Sequence, residues 1–431
     1  MSIFLSILLS AAEAPTSRID SRCGSVPGPA AESSSPTDPD SELTLARALL
    51  LSASSSPRAV AIRAQNGEAK ADVVAAKIAP NPSLDYAGSR LRTGTNTGAA
   101  VVDTVGAEWP LLIFGQRGAR VRAAKAGLTA ADAHVEADLS ARARDVRVAF
   151  DDLLSQQERT CILEEARSDL EHVSKIISGR KNAGEASDYE SLRVETEFRT
   201  MDALLGDARG DLADARGHLA VLLGRPGTAP HAVGELALDT TTPLDVEALW
   251  TIASQHLPAL AAARQDENAA GEAVHAARRD AYPVPVLSGG VALTQDAQSS
   301  SATFGVSIPL PVLDRNQGAI AKAQAHAEEA TLERKAVEAE TRAELERAVA
   351  VAAQRRAALT ELDAAVSSRL PEMRSMAESA YREGRGDILE LLDAFRSLTS
   401  TRLARVDAFT GAAHADADLL FLTGRSMDSA P

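Results

Sequence analysis

The hydrophobic pattern of the chain runs at two periods. Over long stretches apolar residues recur three and four positions apart. Phe198, Met201, Leu205, Ala208, Leu212, Ala215, Leu219 and Leu222 form one such seam, and Leu359, Leu362, Val366, Leu370 and Met373 form another. That spacing gathers apolar side chains on one helical face and, sustained over heptads, suits helices packed as coiled coils. Elsewhere the period drops to two. Val105, Ala107, Trp109 and Leu111 alternate with Thr104, Gly106 and Glu108, and Phe304, Val306, Ile308 and Leu310 alternate with Thr303, Gly305 and Ser307. Such alternation predicts strands with one apolar and one small, polar face.

These elements occur in the same order twice. Leu43 in LTLARALLL matches Leu244 in LDVEALW, and the stretch from Ser56 matches that from Leu257. The words at Ala79, Trp109, Asn182 and Leu222 match those at Ala281, Ile308, Glu383 and Leu422. The pairs lie about 200 residues apart and are colinear, the signature of a duplication. Each copy predicts a short helix and then a longer one, Pro57–Ile78 and Pro258–Arg279. A proline break and two strands follow, near Ser83–Leu91 and Val101–Leu111, then Pro285–Thr294 and Ala302–Leu310, joined by Gly/Ser-rich hairpin loops. Long helices are predicted over Gly118–Ser178 and Gly318–Glu383, each on the order of 90 Å. Final helices are predicted over Ser187–Leu223 and Asp387–Thr423. The expected domains are a signal-like and disordered Ser/Pro-rich segment over 1–41, a first repeat over 42–230, a second over 231–425, and a tail over 426–431.

Composition supports long helices, with 24% charged and only 3% aromatic residues. The net charge of −15, with no basic patch among aromatics, argues against nucleic-acid binding. The N-terminal MSIFLSILLSAAEA is too short to span a bilayer as a helix. It reads as an export signal, although it lacks a positive start. Cys23 follows Asp20, Ser21 and Arg22, a poor context for lipidation, and with Cys161 it cannot form a structural zinc site. No other apolar run is long enough for a membrane helix, so any insertion must use strands. Four strands cannot close around a channel, and open edges are not tolerated in lipid. A membrane role therefore requires oligomerisation, and three copies would supply twelve strands.

The words Pro80-Asn81-Pro82, Trp109-Pro110-Leu111 with Gly115-Gln116-Arg117-Gly118, and Ile308-Pro309-Leu310-Pro311 with Asp314-Arg315-Asn316-Gln317-Gly318 carry a resemblance to the TolC-like outer-membrane efflux family. It covers about Glu42 to Arg425. The last word is similar to the heavy-metal branch serving cobalt–zinc–cadmium and copper–silver exporters. The resemblance implies a mainly α fold with a small β part. In it, long helical hairpins form an α-barrel and four strands contribute to a twelve-stranded trimeric outer-membrane β-barrel. It implies a homotrimer in outer-membrane lipid of a Gram-negative cell. Its partners would be a periplasmic membrane-fusion adaptor and an inner-membrane pump of the resistance–nodulation–division type, and it would export solutes passively, heavy-metal cations among them. Pro110, Gly115, Gly118, Pro309, Pro311, Asp314, Asn316 and Gly318 would turn strand into helix.

No catalytic, phosphate-binding or cofactor motif emerges, so neither an enzyme nor a cofactor is expected. The eight histidines do not pair at helical spacing, and Asp151-Asp152 and Glu328-Glu329 read as solvated helix charge. The helix-to-helix tips are the candidate site. Ser187 and Asp387 read as N-caps. By resemblance, the tips form the adaptor-docking mouth and gate. Gly184 and Gly386 would allow close backbone approach, and Asp188, Asp387, Arg180, Arg382 and Arg385 would form a charged constriction or links between subunits. The alternatives are a soluble coiled-coil or adaptor protein, which leaves the two alternating hairpins unaccounted for, and a drug or protein-secretion duct of the same family.

Overall fold

A computed structural model describes residues 42–95, 99–184, 186–234, 238, 244–295, 299–425 and 427, with backbone alone over 364–371. The export-signal reading and Cys23 lie outside the described residues. In chain order the elements are β1 (Glu42–Leu43), α1 (Leu45–Ser55), α2 (Pro57–Ala64), α3 (Asn66–Lys77), β2 (Ser83–Arg90), β3 (Val101–Pro110), α4 (Gln116–Asn182) and α5 (Asp188–Leu222). They continue with β4 (His231–Ala232), α6 (Val246–His256), α7 (Pro258–Asp280), β5 (Val286–Thr294), β6 (Ser299–Ser307), α8 (Gln317–Arg382) and α9 (Ile388–Leu422). The chain is mainly α with a small β part. It divides into two compact units, one holding Asp138–Leu257, the residues from Thr341 onward and those up to Ile62, the other Arg63–Ala137 and Pro258–Glu340.

The first unit is a helical body. Its largest apolar cluster joins Leu43 and Leu49 to Val146, Phe150 and Leu153 of α4, Leu219 of α5 and Phe409 and Leu420 of α9. The α5 seam behaves as its spacing predicts. Met201, Leu205, Ala208 and Leu219 are buried, and the seam residues between them are half-buried. In the α8 seam Leu359 is buried, but Met373 is exposed, and the side chains of Val366 and Leu370 are outside the described set. The two-residue strands β1 and β4 pair in parallel. Gln157 of α4 brackets β4, donating to the Ala232 carbonyl and accepting from the Ala232 amide, both at 2.9 Å.

Both α5 and α9 end in the same cap. Gly224 donates to Val221 at 3.0 Å and Arg225 to Ala220 at 2.8 Å; Gly424 donates to Phe421 at 3.0 Å and Arg425 to Leu420 at 3.1 Å. These are Schellman bonds, which need a left-handed residue just past the helix. Gly224 and Gly424 supply it at φ +74° and +66°. Each cap also presses on a helix junction. A Cβ on Gly224 would lie 2.6 Å from Pro57 Cδ, and one on Gly424 2.4 Å from the His256 carbonyl oxygen.

The second unit holds the sheet, of order β2-β3-β5-β6 and antiparallel throughout. Pairing puts Leu84, Tyr86, Val105, Ala107, Trp109, Leu287, Val291, Leu293, Phe304 and Val306 on one face. Ser83, Asp85, Thr104, Glu108, Ser288, Thr303 and Ser307 occupy the other, where an open hollow of about 400 Å³ lies. The last strand begins three residues before the predicted Ala302, because Ser299 pairs with Thr294, and it stops at Ser307, ahead of Pro309 and Pro311. Ile308 and Leu310 therefore fall outside the ladder. The predicted helix Pro57–Ile78 is two helices, interrupted at Gln65 before the weak formers Asn66 and Gly67. The buried helical residues of this unit include Ala119, Ala126, Ala130, Ala262, Ala270 and Ala330, small side chains that let helices pack closely.

Gly224→Ala and Gly424→Ala should each destabilise the protein by about 1–3 kcal/mol through backbone strain and overlap. Gly217→Ala, mid-helix in open space, should be neutral or stabilising by about 0.5–1 kcal/mol. Thermal melts followed by helical circular dichroism check both, and equal effects at the three sites would contradict the cap reading.

Candidate functional site

The first tip joins α4 to α5. Lys181 accepts at its carbonyl from the Gly184 amide at 3.0 Å, and Gly184 takes φ +80°. Ser187 and Glu190 then form a capping box: the Glu190 amide donates to Ser187 Oγ at 3.2 Å, and the Ser187 amide donates to Glu190 Oε2 at 2.6 Å. Lys181 Nζ lies 2.8 Å from Asp188 Oδ1 and holds that carboxyl below the usual carboxylate range. The second tip joins α8 to α9. Gly384 at φ +69° makes the turn, and both Arg385 and Gly386 donate to the Ala380 carbonyl, at 2.9 and 3.0 Å. Asp387 caps α9, its Oδ1 accepting from the Ile388 amide at 2.6 Å.

Ser187 and Asp387 are N-caps, as their positions suggest. The glycines divide differently from the expectation of close approach. A Cβ on Gly184 would meet nothing, so its role is the left-handed turn; on Gly386 it would lie 3.1 Å from Ala380 Cβ. Gly384 was missed, although it stands in the same place relative to its helix end as Gly184. Among the described residues the arginines pair with neither Asp188 nor Asp387. Arg180 stacks over the buried Tyr381 ring at 5.0 Å, Arg382 lies 4.0 Å from Glu378, and Arg385 pairs with Glu383. Burial pushes the Tyr381 phenol up. Further ion pairs join the two hairpins: Arg374–Asp169 at 2.7 Å, Arg402–Glu165 at 2.6 Å, and Arg396 with the buried Glu197.

A second polar cluster lies within the helical body. Asp151 is not solvated helix charge. It is buried at 8% exposure, because the α4 turn that carries it packs against α9. Arg147 Nε is 3.9 Å from Asp151 Oδ2, and His414 Nε2 is 2.9 Å from Asp152 Oδ1. Nearby, Asp416 accepts from Arg356 at 2.7 Å and Ser155 bonds Thr410 at 2.6 Å. Burial pushes the Asp151 carboxyl up to about 6, against the opposing charges of Arg147 and His414. The hydrogen bond with Asp152 raises the His414 imidazole.

In the sheet unit, the strand-to-helix passages share one design. Gly115 takes φ +84° and Asn316 φ +60°. Gln116 Oε1 accepts from the Phe114 amide at 3.1 Å, and Gln317 Oε1 from the Arg315 amide at 2.7 Å. Asp314 Oδ1 accepts from the Asn316 amide at 2.9 Å. Gly118 and Gly318, expected to begin the long helices, lie in their first turns, since α4 starts at Gln116 and α8 at Gln317. The glutamines were overlooked, though both words carry one at the same place. Among the described residues no group of three acidic, histidine or cysteine side chains could hold a metal.

The sequence model of the family described as outer membrane efflux protein matches residues 50–225 and 249–425. The chain is 27% identical over 375 residues to the cobalt-zinc-cadmium resistance protein CzcC of Cupriavidus metallidurans, covering 85% of this chain and 87% of that one. Its fold is similar to that of CusC, at TM-score 0.72 and 18% identity over 89% of this chain and 92% of the other. It is also similar to the outer membrane protein VceC of Vibrio cholerae, at TM-score 0.71 and 18% identity over 89% and 97%.

The buried carboxyl makes stability depend on pH. Asp151 in the folded protein holds a proton up to about pH 6, whereas an unfolded aspartate releases it near pH 4. Stability is therefore full below about pH 4 with respect to this group and falls as pH rises through 6, by on the order of 2–3 kcal/mol. His414, also raised, acts in the same direction. Asp151→Asn should raise the melting temperature at about pH 7.5 and leave it nearly unchanged at about pH 3.5. A variant with the wild-type pH profile would refute the assignment.

Proposed function

The chain belongs to the outer membrane efflux protein family, and from that membership we propose that it is the outer-membrane channel of a tripartite export assembly. Proteins of this family are channels, not enzymes. The observation that carries the proposal is the four-stranded sheet, apolar on one face and polar on the other. It ends at β2 and β6, which pair with no further strand among the described residues. No described helix is long and apolar enough to cross a membrane. Three copies joined edge to edge would give twelve strands, with the apolar face toward lipid and the Asp85–Glu108 face toward a water-filled lumen. The repeats over 42–230 and 231–425 would each give one hairpin of strands and one of helices to every subunit.

In this reading solute passes without covalent chemistry, driven by an inner-membrane pump of the resistance–nodulation–division type through a periplasmic adaptor. The likeness to CzcC supports heavy-metal cations as the solute. The helix tips, with Arg180, Gly184, Ser187, Asp188, Arg382, Arg385, Gly386 and Asp387, would meet the adaptor and gate the mouth. Turns capped this fully hold their exposed charges in fixed places, which suits a docking surface.

The full-length protein should fractionate with the outer membrane and have the mass of a trimer in mild detergent. A monomer or dimer after export would overturn the channel reading. A deletion strain should become sensitive to cobalt, zinc or cadmium; sensitivity to drugs alone would overturn the metal reading and leave the channel standing. The double variant Arg382→Glu/Arg385→Glu should remain trimeric yet lower restored resistance by about ten-fold, since reversed charges at a docking surface repel the partner.

A further inference from the structure

The apolar band of the sheet is short for a membrane. On the apolar face, Asp103 Oδ1 accepts from Tyr86 Oη at 2.9 Å and from Arg90 at 3.0 Å, and Asp103 Oδ2 accepts from Gln295 at 3.0 Å. This charged cluster marks one limit of the band on β2 and β3, beside Leu293 of β5. From Asp103 to Trp109 is six residue steps, about 20 Å along the strand and about 15 Å along the membrane normal at the usual tilt. An outer-membrane barrel presents a band of about 25 Å. The shortfall, on the order of 10 Å, falls at the end where the strands meet the helices.

There the chain exposes apolar residues beyond the ladder. Ile113 and Phe114 follow β3, and Leu310, Val312 and Leu313 follow β6, Leu313 at 89% exposure. The backbone of both passages pairs some of its polar groups locally. Ile113 donates to Leu111 at 3.0 Å and Val312 to Leu310 at 2.8 Å, two inverse-γ-like bonds, and Leu111 donates to Pro285 at 2.7 Å. Pro110, Pro309 and Pro311 carry no donor. Such local pairing lowers the cost of contact with lipid, where unpaired backbone groups are not tolerated. Below this level lie groups suited to a membrane boundary. Phe114 stacks on Tyr282 with centroids 6.0 Å apart, Arg279 covers the Tyr282 ring at 5.5 Å, and Arg117 and Arg315 are exposed just past each apolar run.

We propose that these two passages form an apolar collar embedded in the lipid leaflet at the helical end of the sheet, completing the hydrophobic thickness that the strands lack. The proposal rests on the sheet lying in the membrane. The occupant is phospholipid: the collar follows directly on strands whose apolar face is assigned to acyl chains, and the exposed arginines match anionic headgroups.

The chain has two tryptophans, Trp109 and Trp250, so both are replaced by phenylalanine, and Leu313→Trp or, as control, Val291→Trp is introduced. Each protein is reconstituted in phospholipid vesicles with or without brominated acyl chains. Leu313→Trp should be quenched about two-fold by brominated lipid, as should Val291→Trp at mid-sheet. Val312→Trp serves as a second collar probe if Leu313→Trp fails to insert. If Val291→Trp is quenched and both collar probes are not, the collar proposal is wrong: blue, unquenched collar emission would mean that a second copy covers it, and red emission that water does. If no probe is quenched, the membrane reading of the sheet fails as well.

Discussion

A backbone amide or carbonyl without a partner is tolerable in water and costly in lipid, and this constraint organises the sheet unit. Its two-faced sheet suits a wall between lipid and water, but β2 and β6 pair with no further strand among the described residues. Such a sheet is stable in a bilayer only when other copies close it. The same constraint bears on the passages out of the sheet, where proline removes donors and a glutamine side chain receives one amide in each. In the proposed channel, closure by further copies, the proline punctuation and the local pairing in the passages would be three responses to one cost.

The helical body solves a different problem. Long helices with alanine- and leucine-rich seams slide easily against one another, because one heptad resembles the next. Register is set here by polar contacts at particular heights: Arg396 with the buried Glu197, Arg356 with Asp416, and Ser155 with Thr410. Charges this deep contribute little net stability. They do penalise a slip, since moving one helix by a turn would leave a buried charge alone. The cluster at Asp151 belongs with these, and its raised carboxyl shows that desolvation prevails there over the neighbouring cations.

Most of the fold was legible in the sequence because its elements are long and strongly periodic. The seam from Phe198 to Leu222 and the alternation about Trp109 and Phe304 needed no tertiary information. The N-caps at Ser187 and Asp387 were legible for the same reason: a cap is a local bond. What was not legible depended on a partner distant in sequence. Strand β6 starts at Ser299 because Thr294 lies opposite it, and a serine run carries no strand signal of its own. Asp151 and Asp152 look like surface charge until α9 covers one of them. At the tips, only the structure separates the turn glycines Gly184 and Gly384, at positive φ, from Gly386, which packs against Ala380.

The paired caps after α5 and α9 have a consequence for the chain as a length of string. Gly224 locks against Ser56 and Pro57, and Gly424 against His256 and Leu257, so the end of each repeat is fastened near that repeat's own beginning. Each half is a loop already tied off. The peptide that joins them takes no part in either cap, though its β4 pairs with β1, and two half-length polypeptides would inherit both caps intact. A fold of this kind keeps the record of its origin: before one chain held two repeats, two shorter chains could have held the same structure between them.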